Sequence, residues 1–357
     1  MAIYLDSKDL KKLDQYFTEQ SKFKGRLSDD YDFTGVDTVR VHTVLTVPMG
    51  NYTRSGANRY GSPTELQDIV QSMKLTRDRS FSLTVDKGNR LQGGGRTEAG
   101  KVMRAQLDEQ AIPDYDGYVA GVLAHKGGIL HKESAAVANT NVAAMVIAGN
   151  VALDEKKVPR KNRTIYATPS FFAMLRLAPE WNAIDKAAQD YLVKGKIGEF
   201  DGCDVVSLTP DIMPAGVNFL IVFKESAVAP QQLEDTKIHQ DPPGLSGDLL
   251  EGRNIYDCFV KMAKCDGIYV SLASTATQCS APTTTYTSGT SATVAFTNGD
   301  TLVYTRDGSD PRYSEHVTTV TSGSSTSITG IVAGEKIKAY ATNASKFDSG
   351  LLEFVGA

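Results

Sequence analysis

Hydrophobic spacing divides the chain at about Ala273. Before it, short alternating runs mix with runs of helical period; after it, only alternation remains. Residues 39–47 (VRVHTVLTV) largely alternate and read as a strand, as does FSLTV at 81–85. Between them lies a long polar, glycine-bearing excursion that carries Arg54, Arg59, Lys74, Arg77 and Arg79. Two strands bracketing it predict a projecting β-hairpin. A loop of that length is either disordered or holds something outside its own domain. A basic nucleic-acid patch competes with that reading, but Glu65, Asp68 and Asp78 dilute it.

Helical period follows. Signals begin at Thr97 with Glu98 in the first turn, and Ala99, Val102, Met103, Leu107 and Ala111 recur on one face. Pro113 is expected to kink or break this helix, because it lacks an N–H and its ring crowds the preceding turn. Val119, Val122 and Leu123 resume the pattern up to 125–128. The preceding Gly93-Gly94-Gly95 has neither a GK[ST] nor a GxGxxG context, so it reads as a flexible joint and not a phosphate cradle.

Further along, 141–156 is a helix apolar enough to bury two faces. RTIYAT (163–168) is a short buried strand, and Pro169 opens another helix. Residues 205–208 and 219–222 read as central strands, Pro242-Pro243-Gly244 as a loop, and 257–260 and 267–272 as closing strands. At the N-terminus, Ser7 can cap a helix with Leu10, Leu13 and Phe17 in one stripe. That stripe suits either a surface helix or an arm lying on a neighbour. No regular βαβ repeat appears, and the mixture reads as α/β or α+β, with α+β the fold class expected.

Beyond Ala273, serine and threonine are dense, and NG, DG, SG and AG turns separate the strands. Residues 279–357 therefore predict a small all-β sandwich. A disordered Ser/Thr-rich tail is the alternative, and the clean hydrophobic alternation argues against it.

Composition narrows the function. The 357 residues hold 41% hydrophobic and 22% charged positions, ordinary for a folded protein with two or three domains. A net charge of -4 supplies no basic field for wrapping nucleic acid. Four cysteines (Cys203, Cys258, Cys265, Cys279) form no CxxC pair, and the five histidines are scattered. Neither a zinc site nor a disulfide framework is expected, and a reducing compartment is the default. The start, MAIYLDSKDLKKLDQYF, is unlike a secretory leader, and no apolar run is long enough to span a membrane. GxSxG, HExxH and Walker sequences are absent; Asp114 and Asp116 are close but fall at the expected helix break.

The order of FSLTVDKGN, helix and IPDYDGYVAGVLAHKGG, followed by RTIYATPSFFAML, resembles the major capsid proteins of tailed bacteriophages. The matching features are the Asp86-Lys87 turn and Pro113-Asp114-Tyr115-Asp116-Gly117-Tyr118. The resemblance implies the Hong-Kong-97-type fold, with an N-terminal arm at 1–35 and an extended loop at 48–82 reaching over an adjacent subunit. It implies a peripheral domain over 36–139 with its spine helix at 97–127, an axial domain at 140–245, and return strands at 246–275. Arg54, Arg59, Arg77, Arg79, Asp86 and Lys87 would then make contacts between subunits.

A second resemblance sits in the tail. VYTRDGSDPRYS (303–314) is similar to immunoglobulin-like modules of the chitobiase C-terminal type. There Tyr304, Asp307, Gly308, Asp310 and Pro311 carry a structural motif: Asp307-Gly308 turns the chain, and Asp310-Pro311 starts the next stretch extended.

Together these imply a non-enzymatic shell protein in the virion, assembled in the host bacterial cytoplasm without a cofactor. Its partners would be copies of itself in hexamers and pentamers, a scaffolding protein and a portal, and packaged double-stranded DNA. The tail would stand on the surface and be dispensable for assembly; glycan or host-surface contact through Tyr286, Tyr304, Tyr313 or Tyr340 competes with these tyrosines being core of the sandwich. Two alternatives remain: a carbohydrate-active or carbohydrate-binding protein carrying the same module, and an encapsulin-like cellular shell. Trp181, the single tryptophan, lies outside the tail, which weakens the first.

Overall fold

The computed structural model describes residues 20–356 except 35, 45, 47–48, 57, 62–67, 93–97, 179–197, 289 and 322. The expected N-terminal helix, the triple glycine and Trp181 lie outside the described residues.

Strand β1 (Thr38–Val44) pairs antiparallel with β2 (Asp68–Lys74), Thr38 opposite Lys74 and Val44 opposite Asp68. This corrects the expected hairpin, whose return leg was placed at 81–85. Those residues belong to β3 (Arg77–Asp86), in a different sheet. The polar Gln71 interrupts the alternation Ile69, Gln71, Met73 and so hides β2 in the sequence. Gln71 is nonetheless buried, because its amide donates to the Val260 carbonyl (2.8 Å) and accepts the Met262 N–H (2.8 Å).

A short helix, α1 (Lys87–Gln92), replaces the expected Asp86-Lys87 turn; the Asp86 carboxylate accepts the Asn89 N–H at its start (3.0 Å). Helix α2 (Ala99–Gln106) then runs through a π-helical turn, Leu107–Ala111, into α3 (Ile112–His125). The expected break at Pro113 does not occur. Backbone angles stay right-handed helical at Gln106, Leu107, Ala111 and Ile112. The wider turn closes with Ile112 N–H on the Leu107 carbonyl, and it opens the coil just ahead of the proline ring.

The main sheet has six strands in the order β4-β13-β8-β5-β7-β6. They are β4 (Ile129–Lys132), β5 (Arg163–Ala167), β6 (Glu199–Phe200), β7 (Cys203–Ser207), β8 (Val217–Phe223) and β13 (Ile268–Leu272). Helices α4 (Val142–Glu155) and α5 (Pro169–Arg176) pack with Phe219, Ile221 and Ile165 on one face. On the other, Leu220, Val222, Ile268 and Val270 pack with Val119 and Leu123 of α3. Covering both faces is why FLIV is apolar throughout and does not alternate.

Between β8 and β13 lie β9 (Ala227–Val228), β10 (Gln231–Gln240), β11 (Gly247–Tyr256) and β12 (Phe259–Val260). The long β10–β11 hairpin forms a three-stranded sheet with β3 and turns over the expected Pro242–Gly244 loop. Its strands were not legible in the sequence, because β10 presents mostly exposed polar residues. Of the closing strands, only 268–272 is a full strand; 259–260 makes a two-residue pairing with β9.

The tail is all-β, as its alternation predicts. One sheet holds β14 (Thr283–Ser288), β15 (Ser291–Ala295) and β18 (Ser325–Thr329). The other holds β16 (Thr301–Thr305), β17 (Thr318–Val320), β19 (Lys336–Thr342) and β20 (Leu352–Val355). Val294, Ile328, Leu302, Ile337 and Phe354 make a core shared by the two sheets.

Candidate functional site

The start of α3 gathers three distant segments. Asp114 accepts a 2.6 Å bond from Tyr256 of β11 and faces Arg79 (3.3 Å) and Arg77 (3.7 Å) of β3. One turn on, Tyr118 donates to Asp257 at 2.6 Å, and the Arg77 guanidinium lies 4.4 Å from the centre of its ring. Asp257 also accepts the Thr76 N–H and hydroxyl, both at 2.8 Å. Asp116, on the opposite side of the helix, accepts the Ser21 hydroxyl (2.6 Å) and the Lys22 N–H (2.9 Å). The motif Asp114-Tyr115-Asp116-Gly117-Tyr118 is thus a junction joining the N-terminal segment, β3 and β11. Its carboxylates accept hydrogen bonds within the chain.

Burial and the bond to Asp114 push Tyr256 up to about 12, and burial together with the bond to Asp257 also raises Tyr118. Tyr256, Asp257, Thr76 and Ser21 carried no periodic signal that would have singled them out as partners. A groove of about 760 Å³ opens beside the junction, lined by Ser21, Arg79, Phe81, Leu107, Tyr115 and Tyr256 among others.

The arginines proposed from the sequence separate into two groups. Arg77 and Arg79 face Asp114 inside the chain, as above. Arg54 and Arg59 lie in the excursion between β1 and β2, where Arg59 Nε donates to the Gly56 carbonyl (3.3 Å). There the Tyr52 and Tyr60 rings meet edge to face at 5.0 Å, while Met49 is fully exposed and Tyr60 is 90% exposed. Asp86 caps α1, and Lys87 pairs with Asp241 at the β10–β11 turn.

In the tail, Asp307 accepts the Ser309 N–H (3.0 Å) and Gly308 takes φ +76°, the left-handed region in which glycine is favoured. Tyr304 packs against the sandwich core. Asp310 and Pro311 are buried, and the residues after them touch the end of α3. Tyr313 is buried in the main core, and Tyr340 is half-buried, with burial pushing its hydroxyl up to about 12. The Tyr286 side chain lies outside the described residues.

Among the described residues, no group of three or more His, Cys, Asp or Glu could hold a metal, and no helix is long and apolar enough to cross a membrane. All four cysteines are buried and unpaired. Burial pushes the thiols of Cys203, Cys258, Cys265 and Cys279 up, Cys265 to about 12 and Cys279 to about 11.

No protein-family model matches this chain, and no curated protein matches it. Solved structures do. The chain is similar to one from Mycobacterium phage Che8, at 18% identity and a TM-score of 0.64, covering 75% of this chain and 97% of that one. The mature capsid of bacteriophage PhiM1 matches at 12% identity and 0.59, over 77% of this chain and 93% of that chain. The capsid of cyanophage P-SCSP1u matches at 10% and 0.61, over 75% and 92%. What is shared at these identities is the fold, which is that of phage capsid chains.

Proposed function

We propose that this chain, sharing its fold with phage capsid structures, is the major capsid protein of a tailed double-stranded DNA bacteriophage. The observation that carries the reading is the coverage: nearly the whole of each neighbouring chain finds a counterpart here. The neighbours leave about a quarter of this chain uncovered, and residues 279–357 are nearly that size. That supports a capsid subunit of Hong-Kong-97 type extended by a surface-exposed, immunoglobulin-like module. The carbohydrate-active and cellular-shell readings draw no support from these neighbours.

In this reading the role is structural and geometric. Each subunit makes many weak contacts, and closed symmetry sums them into a stable shell. The excursion between β1 and β2, with Arg54, Arg59, Met49 and Tyr60 exposed, is the segment that reaches a neighbour. Arg77 and Arg79, already engaged by Asp114, serve the subunit's own fold first. Residues 1–35 are the arm, α2 to α3 the spine of the peripheral domain, and 140–245 the axial domain. A scaffolding protein and portal during assembly, and packaged DNA inside, complete the set of partners. The virion is the location, after assembly in the host bacterial cytoplasm. The tail remains a candidate for glycan or host-surface contact.

Negative-stain microscopy of the expressed protein tests this. Capsomers, tubes or closed shells are expected. A clean monomer that hydrolyses chito-oligosaccharides would overturn the reading, and shells loaded with one co-purifying enzyme and no DNA would favour a cellular compartment.

A further inference from the structure

The tail motif does two separate things. Asp307, Gly308 and Ser309 make the turn. The next four residues, Asp310 to Tyr313, leave the sandwich and meet the end of α3. Arg312 Nη1 donates to the carbonyls of Gly127 (2.9 Å) and Gly128 (3.1 Å), just beyond the helix. Its Nε and Nη2 donate to the Asp310 carboxylate at 3.0 and 2.6 Å. The Tyr313 hydroxyl donates to the Lys126 carbonyl. Three successive carbonyls on the residues that follow α3 are therefore satisfied by two side chains of the tail.

The contact is dry. The side chains of Arg312 and Asp310 are 5% and 7% exposed, and Tyr313 sits in the same core cluster as Leu123 and Ile268. A guanidinium this buried is costly unless every donor is matched. Here half of its partners come from the sandwich and half from the helix end. Gly127 and Gly128 leave no room for a side chain: a Cβ on Gly128 would stand 2.3 Å from the Cys265 carbonyl oxygen, and one on Gly127 would stand 2.7 Å from Val270. The row of carbonyls is thereby packed against the Cys265 loop and β13, aimed at Arg312. A second contact lies alongside: Phe347, on the loop between β19 and β20, stacks on His125 at 4.7 Å and belongs to the same cluster.

We propose that Asp310 to Tyr313 is a docking key that fixes the C-terminal sandwich to the end of α3, so that the sandwich is an integral part of the subunit and not a swinging appendage. Exposed pairs would hold a free domain only weakly, whereas a buried, matched guanidinium is strongly position-specific. The inference stands on contacts within one chain and does not depend on shell building.

The test nicks the full chain. A protease-recognition sequence is inserted between Ser280 and Ala281, both exposed, and cleaved in the folded protein. On size exclusion, the nicked parent is expected to keep the sandwich in the main peak. Nicked Arg312→Ala is expected to release it, and Arg312→Lys, whose single ammonium lacks the fork, to release a large fraction. Tyr313→Phe, which keeps the ring, should release less than either. Separation of the nicked parent into two peaks overturns the proposal, as does retention in Arg312→Ala equal to the parent. Circular dichroism before cleavage checks folding; if Arg312→Ala does not fold, nicked Arg312→Lys decides, because Thr277 and Cys279, on the other side of the cut, also bond to Phe347 in the parent.

Discussion

The Ser21 hydroxyl donates a 2.6 Å hydrogen bond to Asp116, 95 positions along the chain. With the Lys22 N–H on the other carboxylate oxygen, it ties the N-terminal segment to α3. Phe23 continues the contact by stacking on Tyr166 of β5 at 4.6 Å.

Asp116 is buried, so removing it strands a backbone donor and a hydroxyl together. Asp116→Ala is expected to lose about 2–3 kcal/mol of stability, and Ser21→Ala about 1 kcal/mol. Urea unfolding of the purified subunit measures both, and equal losses would mean that the backbone bond adds nothing.

The β1–β2 pairing redefines which residues can be removed to test assembly. Deleting 50–79 would take out β2, with buried Met73 and Gln71, and the Arg77 contact to Asp114. Replacing only 49–61 by Gly-Ser-Gly keeps both strands. The expected product is a folded subunit with a thermal midpoint close to that of the parent and no closed shells by electron microscopy. Shells of normal yield would refute the reaching-loop assignment.

Acid should weaken the subunit. Lys346 holds Asp300 low, Lys261 holds Asp30 low, Arg160 and Arg163 hold Asp154 low, and Arg306 holds Glu335 low. A carboxylate lowered in the fold stabilises it fully above the unfolded value, 3.8 for Asp and 4.5 for Glu, and that contribution is lost as pH falls through the folded value. The thermal midpoint is therefore expected to fall steeply below about pH 4.

Asp348 carries the opposite sign. Burial raises it, so its contribution to stability is largest below 3.8 and is lost as pH rises through the raised folded value. Asp348→Asn is expected to raise the midpoint at pH 7 and to leave it unchanged at pH 3. A loss at pH 7 would show that the carboxylate's hydrogen bonding outweighs its desolvation.

The thiols should be inert in the folded chain. A chromogenic disulfide reagent at pH 8 is expected to label none of the four cysteines natively and all four in urea. Fast native labelling of Cys279 would mean that the start of the sandwich opens.

Much of this architecture was readable because the local signal and the burial agreed. Helical spacing found α3 and α4, full apolarity found β8, and Ser/Thr-rich alternation found the tail. The excursion between β1 and β2 was visible as polar and long. What misled was polarity that tertiary contacts satisfy. Gln71 hid β2 because its partners, Val260 and Met262, lie almost two hundred residues away. Pro113 looked like a break because the π-turn that accommodates it leaves no composition signature.

The sequence by itself determined the two-part chain, the apolar strands and helices that make its cores, and the turn at Asp307-Gly308. Those depend on spacing and on backbone preferences within a few residues. Only the tertiary structure decided that Asp114 and Asp116 are junction acceptors, that 77–86 leaves the hairpin for β11, and that Arg312 closes on the end of α3. Each of these joins groups far apart in the chain, and the burial that makes the contact matter exists only once the segments have met.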